Sequence, residues 1–412
     1  MSSPWSFGLP WIGNRACASD RPPASFESPM RLLSVRLRHF RAHTDSQVVL
    51  APGMTLLLGP NGAGKTNILE SIGYLCLGKS FLASSDAPVV QRGAGHVEVE
   101  GEAASDRGTV SRVRIAVVPG EGKRAFVNGS PLERIADLVG RIPVVILSPA
   151  DYELTAGGPS VRRQMLDATL SQAYPVYLQD LMAYRRALRQ RNALLTSVRR
   201  GAALAPGTMD AWDAETATLG TRLVVRRAEF LDRFGAFVTE AHRLLQEPGD
   251  PPSLRYAPSV DLSEADDPVT AFRQALSRTD RRSRETGRTL VGPHLDEVTF
   301  LLDDVDLRPY ASQGQHRTYA LTLRIAQALF LRDHLDEAPL LLLDDVFGPL
   351  DEARSRVLLD LLVSRTVGQS VVTAARSEPF LAVAPLDAEA HSVFHVKHGA
   401  VTLSDLSAPL SL

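Results

Sequence analysis

Gly59-Pro60-Asn61-Gly62-Ala63-Gly64-Lys65-Thr66 constrains this chain more than any other stretch, because it fits the phosphate-binding loop pattern and has the right neighbours. The apolar run Met54 to Leu58 precedes it and predicts a buried strand, while Ile68, Leu69, Ile72 and Leu75 follow at helical spacing. Glycines in such a turn let backbone N–H groups face inward, and the positive end of the following helix adds to them, so the loop suits phosphate oxygens. Within it Lys65 reaches the outer phosphates and Thr66 offers its hydroxyl to Mg²⁺.

A second piece is needed to hold the metal. Leu340 to Leu343 predicts a buried strand that ends in Asp344 and Asp345. Asp344 is the expected Mg²⁺ partner, together with Thr66, and Asp345 stands where a general base polarises the attacking water, so Lys65 and Asp345 are the catalytic candidates. The nucleotide candidates are Gly59, Pro60, Asn61, Gly62, Ala63, Gly64, Lys65 and Thr66. Ser312-Gln313-Gly314-Gln315 opens a predicted helix and resembles the signature loop of ABC-type ATPases, in which a helix N-terminus grips the γ-phosphate of ATP held by another protomer. That adds Ser312, Gly314 and Gln315 to the nucleotide candidates, although Gln313 stands where transporters carry glycine. Pro349-Leu350-Asp351 resembles the D-loop, and Thr373 falls where many such heads have a switch histidine.

Patterning along the chain divides it. Residues 1–29, rich in Ser, Pro, Ala and Arg, lack both periodicity and the apolar core of a signal peptide; they read as a disordered leader, with Met30 as the expected start of the native protein. Strands are expected around Leu33, Val48, Leu57, Val99, Ile115 and Val145, with Leu33, Val35 and Leu37 alternating inward. From 158 to 287 the spacing becomes helical, through Leu181, Tyr184, Leu188, Leu195 and Val198 and then Trp212 to Leu244, including Phe230, Phe234 and Phe237 as core. Strands near Val298 and Leu341 and helices over Gln315–Leu331 and Glu352–Leu362 follow. The expected fold is α/β: an ABC-type P-loop ATPase head of mixed sheet and flanking helices, residues 30–157 and 288–400, interrupted by a helical second lobe at 158–287, with a tail at 401–412.

A chain of 412 residues, 44% of them hydrophobic, can bury a large core, and no apolar run approaches the roughly 18 residues of a membrane-spanning helix. Cys17 and Cys76 form no metal or redox spacing, so the cytoplasm is the expected location. The net charge of −2 excludes a chain that coats nucleic acid by overall positive charge. Locally the balance differs: Arg185, Arg186, Arg189, Arg191, Arg199 and Arg200 face one acid, Asp180, between residues 174 and 200, a local net charge of +5. Such a face can grip phosphate backbones or simply be solvated, and Arg185, Arg186, Arg189 and Arg191 are the DNA-binding candidates. Arg278, Arg281, Arg282, Arg284 and Arg288 form a second basic cluster, read either as DNA-binding or as a surface loop. His391, His395 and His398 alternate with Phe394 and Val396 as a final strand does, without an acid or cysteine to complete a metal site.

The order of several motifs is more specific than any one. Leu37-Arg38-His39-Phe40-Arg41, the P-loop, Ser148-Pro149-Ala150-Asp151, Gly157-Gly158-Pro159 with Arg162-Arg163, Gly292-Pro293-His294, the signature through His316-Arg317, and Leu343-Asp344-Asp345-Val346-Phe347 together resemble the RecF family, related to SMC heads, from about Met30 to the C-terminus. The sequence departs from that family at Leu295, which precedes Asp296 where an arginine is usual. The resemblance implies an ATP- and Mg²⁺-binding protein that dimerises on ATP, hydrolyses it slowly and binds DNA at gaps or single/double-strand junctions. It also implies partner recombination mediators, recombinase loading at gaps and stalled forks, and support of replication and the SOS response. Arg41 becomes a candidate nucleotide contact. The alternative is the ATPase subunit of an ABC membrane transporter, opposed by the long helical insertion, by Asp345 where transporters use Glu, and by Gln313. A DNA-cutting ATPase of the overcoming-lysogenization type would need a nuclease domain for which the residues beyond Ser364 are too few, and a cohesin-type bridge would need far longer coiled-coil arms.

Overall fold

The computed structural model describes residues 30–105, 109–205, 207–247, 249–262, 265–377, 380 and 386–404. The expected leader, Cys17 within it, lies outside these residues, as does the expected tail from 405 on, whereas its first residues, 401–403, belong to the last strand. In chain order the elements are β1 (Met30–Phe40), β2 (His43–Val49), β3 (Met54–Leu58), α1 (Lys65–Leu77), β4 (Val97–Ser105), β5 (Val110–Val118), β6 (Gly122–Val127), β7 (Ser130–Pro131), β8 (Val144–Leu147) and α2 (Tyr152–Ala156). Then come α3 (Pro159–Ala173), α4 (Pro175–Arg199), α5 (Asp210–Leu244), β9 (Ser253–Ala257), α6 (Pro268–Thr286), β10 (Glu297–Leu302), β11 (Val305–Asp306) and α7 (Leu307–Tyr310). The chain closes with α8 (Gln313–Leu335), β12 (Leu340–Asp344), α9 (Glu352–Val363), β13 (Ser370–Ala374), β14 (Ser392–Lys397) and β15 (Ala400–Leu403).

Two compact units result. One takes residues 158–233 and 254–301; the other takes the remaining described residues, 234–253 among them. The insertion expected over 158–287 therefore reaches further and omits an internal stretch. The reason is aromatic: Phe234 and Phe237 meet Phe330 of α8 edge-on, ring centres 6.3 and 5.6 Å apart, which ties the end of α5 to the larger unit.

The larger unit holds two sheets. The first, antiparallel throughout, has the order β2-β1-β4-β5-β6-β7. Strict alternation in β4 and β5 buries Val97, Val99, Ala103, Val113, Ile115 and Val117 on one face. The other face carries a charge ladder in which Arg112 pairs with Glu102 at 2.7 Å and Arg114 with Glu98 at 3.1 Å. In β1 the alternation expected from Leu33 fails: Leu32 is buried and Leu33 exposed, because a bulge between Leu32 and Ser34 adds a residue and shifts the register.

The second sheet has the order β15-β14-β3-β13-β12-β8, parallel from β14 to β8 with β15 antiparallel at the edge. Every residue of β3, β12 and β13 is buried; β3 and β12 show as mostly apolar runs in the sequence, whereas β13 carries Ser370 and Thr373 and does not. Helix α1 packs against both sheets through Ile68, Leu69, Ile72 and Leu75. This topology places β13 between the strand that leads into the P-loop and the strand that ends in the acid pair.

In the smaller unit α3, α4, α6 and the first part of α5 pack together, with Phe272 and Leu276 of α6 buried against Ala217 and Val260. The alternative of a loop for the second arginine cluster is corrected: Arg278, Arg281, Arg282 and Arg284 lie on α6. Arg281 and Arg284 are tied to Glu285 and Asp280 one turn away, at 3.1 and 2.7 Å, and Gly287 ends the helix in the left-handed conformation.

Candidate functional site

The P-loop turns on Gly59 and Gly64. Gly59 has φ +154°, and a Cβ there would lie 2.2 Å from the carbonyl oxygen of Val396, so a side chain is excluded by both backbone and neighbour. Gly64, φ +110°, caps α1, and its carbonyl oxygen meets Nε2 of the fully buried His43 at 3.0 Å. His43, absent from the sequence reading, thus braces the loop from β2. The helix then starts at Lys65, with its free N–H groups at the loop. Lys65 Nζ donates to the carbonyls of Gly59 (2.7 Å) and Pro60 (3.0 Å). Burial holds its ammonium below the ordinary lysine range, with Asp345 and Asp344 opposing the shift. An incoming polyphosphate supplies the negative charge that such a buried cation lacks.

The acid pair arrives from β12. Asp344 Oδ1 accepts hydrogen bonds from Thr66 Oγ1 and from Thr373 Oγ1, both at 2.8 Å. Thr373 lies opposite Asp344 on β13 and accepts from the backbone N–H of Asp345 at 3.0 Å. Asp345 is exposed and takes a positive φ, +48°, which costs an L-residue energy and is held by this bond. So Thr373, noted in the sequence only as a substitute for histidine, joins the two acids. A pocket of about 160 Å³ is lined by Asn61, Gly62, Gly64, Lys65, Thr66, Asn67, Asp344, Asp345 and Thr373. It offers backbone donors, one ammonium and a pair of hard oxygen ligands in Thr66 and Asp344, the equipment for a phosphate chain with a divalent cation.

None of Ser312, Gln313, Gly314 or Gln315 lines that pocket. Ser312 caps α8 in a capping box: its backbone N–H donates to Gln315 Oε1 at 2.8 Å and its Oγ accepts from Gln315 N at 3.3 Å, leaving the hydroxyl hydrogen available. All four residues are exposed. A Cβ on Gly314 would meet nothing nearer than Ser312 Oγ at 3.9 Å, so nothing in its own chain demands glycine there. Arg354 of α9 holds the D-loop, contacting Asp351 Oδ2 at 2.7 Å and both oxygens of Glu247 at 2.7 and 2.9 Å. Arg41 does not line the pocket either; its guanidinium grips the buried Glu70 of α1 at 2.6 and 2.8 Å.

Of the four DNA-binding candidates, Arg185, Arg186 and Arg189 are exposed on α4. Arg191 is corrected: it is fully buried, its Nε bound to Asp213 at 2.7 Å and its Nη1 to Thr289 at 2.9 Å, and cannot contact DNA. It sits three residues from the partly buried Leu188 and four from the buried Leu195, on the inner face of a helix whose charge alone does not tell inside from outside. A second buried network escaped the sequence entirely. Arg227, 2% exposed, reaches Asp167 (2.8 Å), Asp296 (3.0 Å), the Tyr177 hydroxyl (3.1 Å) and the Pro293 carbonyl (2.6 Å). Isolated charges on α3, on α5 and in the turn before β10 leave no spacing to read.

A P-loop and an acid-ended strand separated by one parallel strand, an antiparallel sheet on the other side of α1, and an exposed signature loop at the start of α8 define an ABC-type ATPase head. The family model described as RecF/RecN/SMC N terminal domain matches residues 31–402, and this chain belongs to the RecF family. It is 48% identical over 377 residues to the DNA replication and repair protein RecF of Salinibacter ruber, covering 90% of this chain and 92% of that one. A solved structure of the recombination mediator protein RecF-ATPrS in the RecFOR pathway matches it with a TM-score of 0.82 at 28% identity, over 92% of this chain and 99% of that one. The Smc head bound to the C-winged helix domain of ScpA shares the fold, with a TM-score of 0.52 at 16% identity over 90% and 96% of the two chains. That membership leaves the transporter alternative without support.

Proposed function

We propose that this protein is an ATP-binding, DNA-binding repair ATPase of the recombination-mediator class, switched between monomer and dimer by ATP. One observation carries the reading: the phosphate pocket and the exposed N-terminus of α8 lie on one chain, yet no residue from Ser312 to Gln315 lines the pocket. A second copy completes it, presenting Ser312 and the open space at Gly314 to the γ-phosphate, and by symmetry two sites form together. Lys65 then leaves the Gly59 and Pro60 carbonyls for the phosphates, and Arg41 offers a further nucleotide contact from the turn after β1.

Thr66 and Asp344 would hold Mg²⁺, whose charge would draw the phosphate oxygens together. Asp345 orients the attacking water and takes up its proton. Its carboxylate is one methylene shorter than glutamate, which makes turnover slow and ATP a clamp switch rather than a fuel. The closed dimer binds DNA at gaps and junctions in the cytoplasm, works with partner mediators to load recombinase, and supports replication and the SOS response.

Sedimentation with and without ATP and a gapped duplex tests this. ATP should drive dimerisation of the wild type, DNA should join the dimer, and Lys65→Ala and Ser312→Ala should each abolish the dimer. A chain that stays monomeric with ATP and ignores DNA would refute the reading.

A further inference from the structure

Three stretches of the family pattern take no part in the ATP site: Gly157-Gly158-Pro159, Arg162-Arg163 and Gly292-Pro293-His294. Arg163 of the second and Pro293 and His294 of the third converge in the smaller unit, beside Ser160, which follows the first. A pocket of about 190 Å³ there is lined by Ser160, Arg163 and Gln164 of α3, by Tyr184 and Arg185 of α4, by Arg227 of α5, and by Pro293 and His294. Three guanidinium groups reach this wall against a single carboxylate, Asp167.

That carboxylate is already committed. Asp167 Oδ2 takes Arg185 at 2.9 Å, and Oδ1 takes Arg227 at 2.8 Å and the Tyr177 hydroxyl at 2.7 Å. Arg163 is left with the backbone carbonyl of Asp296 at 2.6 Å, and among the described residues no carboxylate lies within ion-pair distance of it. Burial, and then the neighbouring Arg227, disfavour its charged form more than the fields of Glu297, Asp296 and Asp167 favour it, a balance that an anion would relieve. Ser160 and Gln164 stand at the first turns of α3, a helix of 15 residues, so its positive end adds to the cations. His294 is held by the Tyr184 hydroxyl, 2.7 Å from Nδ1, and burial pushes it below the ordinary histidine range, so it forms a neutral wall.

A pocket with excess positive charge, hydroxyl and amide donors and a helix N-terminus selects a compact oxyanion, and phosphate fits that description. Arg185 is half exposed at its rim and continues along α4 into Arg189, one turn on, and Arg186. A polyanion can therefore enter the pocket and continue across the helix, which favours a backbone phosphate over a free nucleotide. We propose that this pocket anchors one backbone phosphate of bound nucleic acid, with Arg163 as its cationic ligand. The proposal rests on the DNA-binding reading above and names the residue that holds the strand on the smaller unit.

The test is fluorescence anisotropy of a labelled DNA duplex with full-length protein and ATP, titrated between about 50 and 200 mM salt. Arg163→Gln removes the charge, and Gln164→Glu adds an opposing one at an exposed position, so the second variant decides alone if the first fails to fold. Both should bind more weakly than wild type, and their disadvantage should narrow about three- to fourfold over that salt range, as expected when one phosphate contact is lost. Arg163→Lys should recover part of the loss, and ATP-dependent dimerisation should be unchanged. If the wild type binds duplex and both variants match it in affinity and salt slope, the pocket assignment is wrong while DNA binding stands. If the variants lose only inorganic phosphate, followed by ³¹P NMR, the site takes free phosphate and the nucleic-acid assignment falls. A wild type that binds no DNA at any salt would overturn the DNA reading itself and this proposal with it.

Discussion

Replacing Arg227 with methionine should loosen the smaller unit more than any surface change, and its cost can be worked from the contacts. The substitution roughly keeps the volume but removes four hydrogen bonds and, among the described residues, the only buried cation bonded to both Asp167 and Asp296. Breaking a buried ion pair by removing one partner costs about 3–5 kcal/mol. Each acid retains help: Asp167 keeps the Tyr177 hydroxyl and the exposed Arg185, while Asp296 keeps the Tyr256 hydroxyl and the Ser259 amide. That places the electrostatic loss near the lower end, and the orphaned Pro293 carbonyl adds about 1 kcal/mol. A total near 4 kcal/mol corresponds to roughly a thousandfold loss of amide protection across α3, α4 and the first part of α5, measurable by hydrogen exchange with mass spectrometry. Adding Asp167→Asn and Asp296→Asn should restore more than half of it, because the uncompensated charges are then gone. Protection reduced less than tenfold in the single variant would refute the view of Arg227 as the charge that holds this unit together.

Two further outcomes follow from the head and from the buried histidines. Thr373→Val removes the hydroxyl that joins Asp344 to the backbone of Asp345, so single-turnover ATP hydrolysis should slow at least about tenfold, the factor for roughly 1.4 kcal/mol of lost positioning, while ATP-driven dimerisation persists; an unchanged rate would deny Thr373 that role. Burial holds His294, His316 and His391 below their ordinary value of 6.5, and His391 Nδ1 accepts the Met54 N–H at 3.0 Å, which only the unprotonated nitrogen can do. The unfolded chain therefore binds more protons than the folded one just below pH 6.5, and stability should fall as pH drops through that value and recover as it rises. NMR titration of the ring protons should give these three midpoints below 6.5, and a normal midpoint for His391 would contradict its packing.

Much of the architecture is legible in the residues. β3, α1 and β12 stand out because buried parallel strands are apolar throughout and because glycine is required where backbone N–H groups must turn inward. β6 and β7 leave little pattern in the sequence, since β6 alternates weakly and β7, at the sheet edge, is only two residues long. The bulge that turns Leu33 outward is invisible in a row of alternating residues, and Arg191 cannot be told from its exposed neighbours by charge.

What the sequence determined by itself is local: the phosphate loop between its strand and helix, the acids at the end of β12, the capping residues of α8, and the succession of strand-rich and helical regions. These depend on spacing and on the backbone freedom of single residues, which are properties of short stretches. Only the tertiary structure decided that β13 runs between β3 and β12 and so seats Thr373 on Asp344, that His43 braces Gly64, and that Arg227 draws Asp167 and Asp296 together from distant segments. Such contacts join residues tens to hundreds of positions apart, and their energies come from burial, which no local pattern encodes.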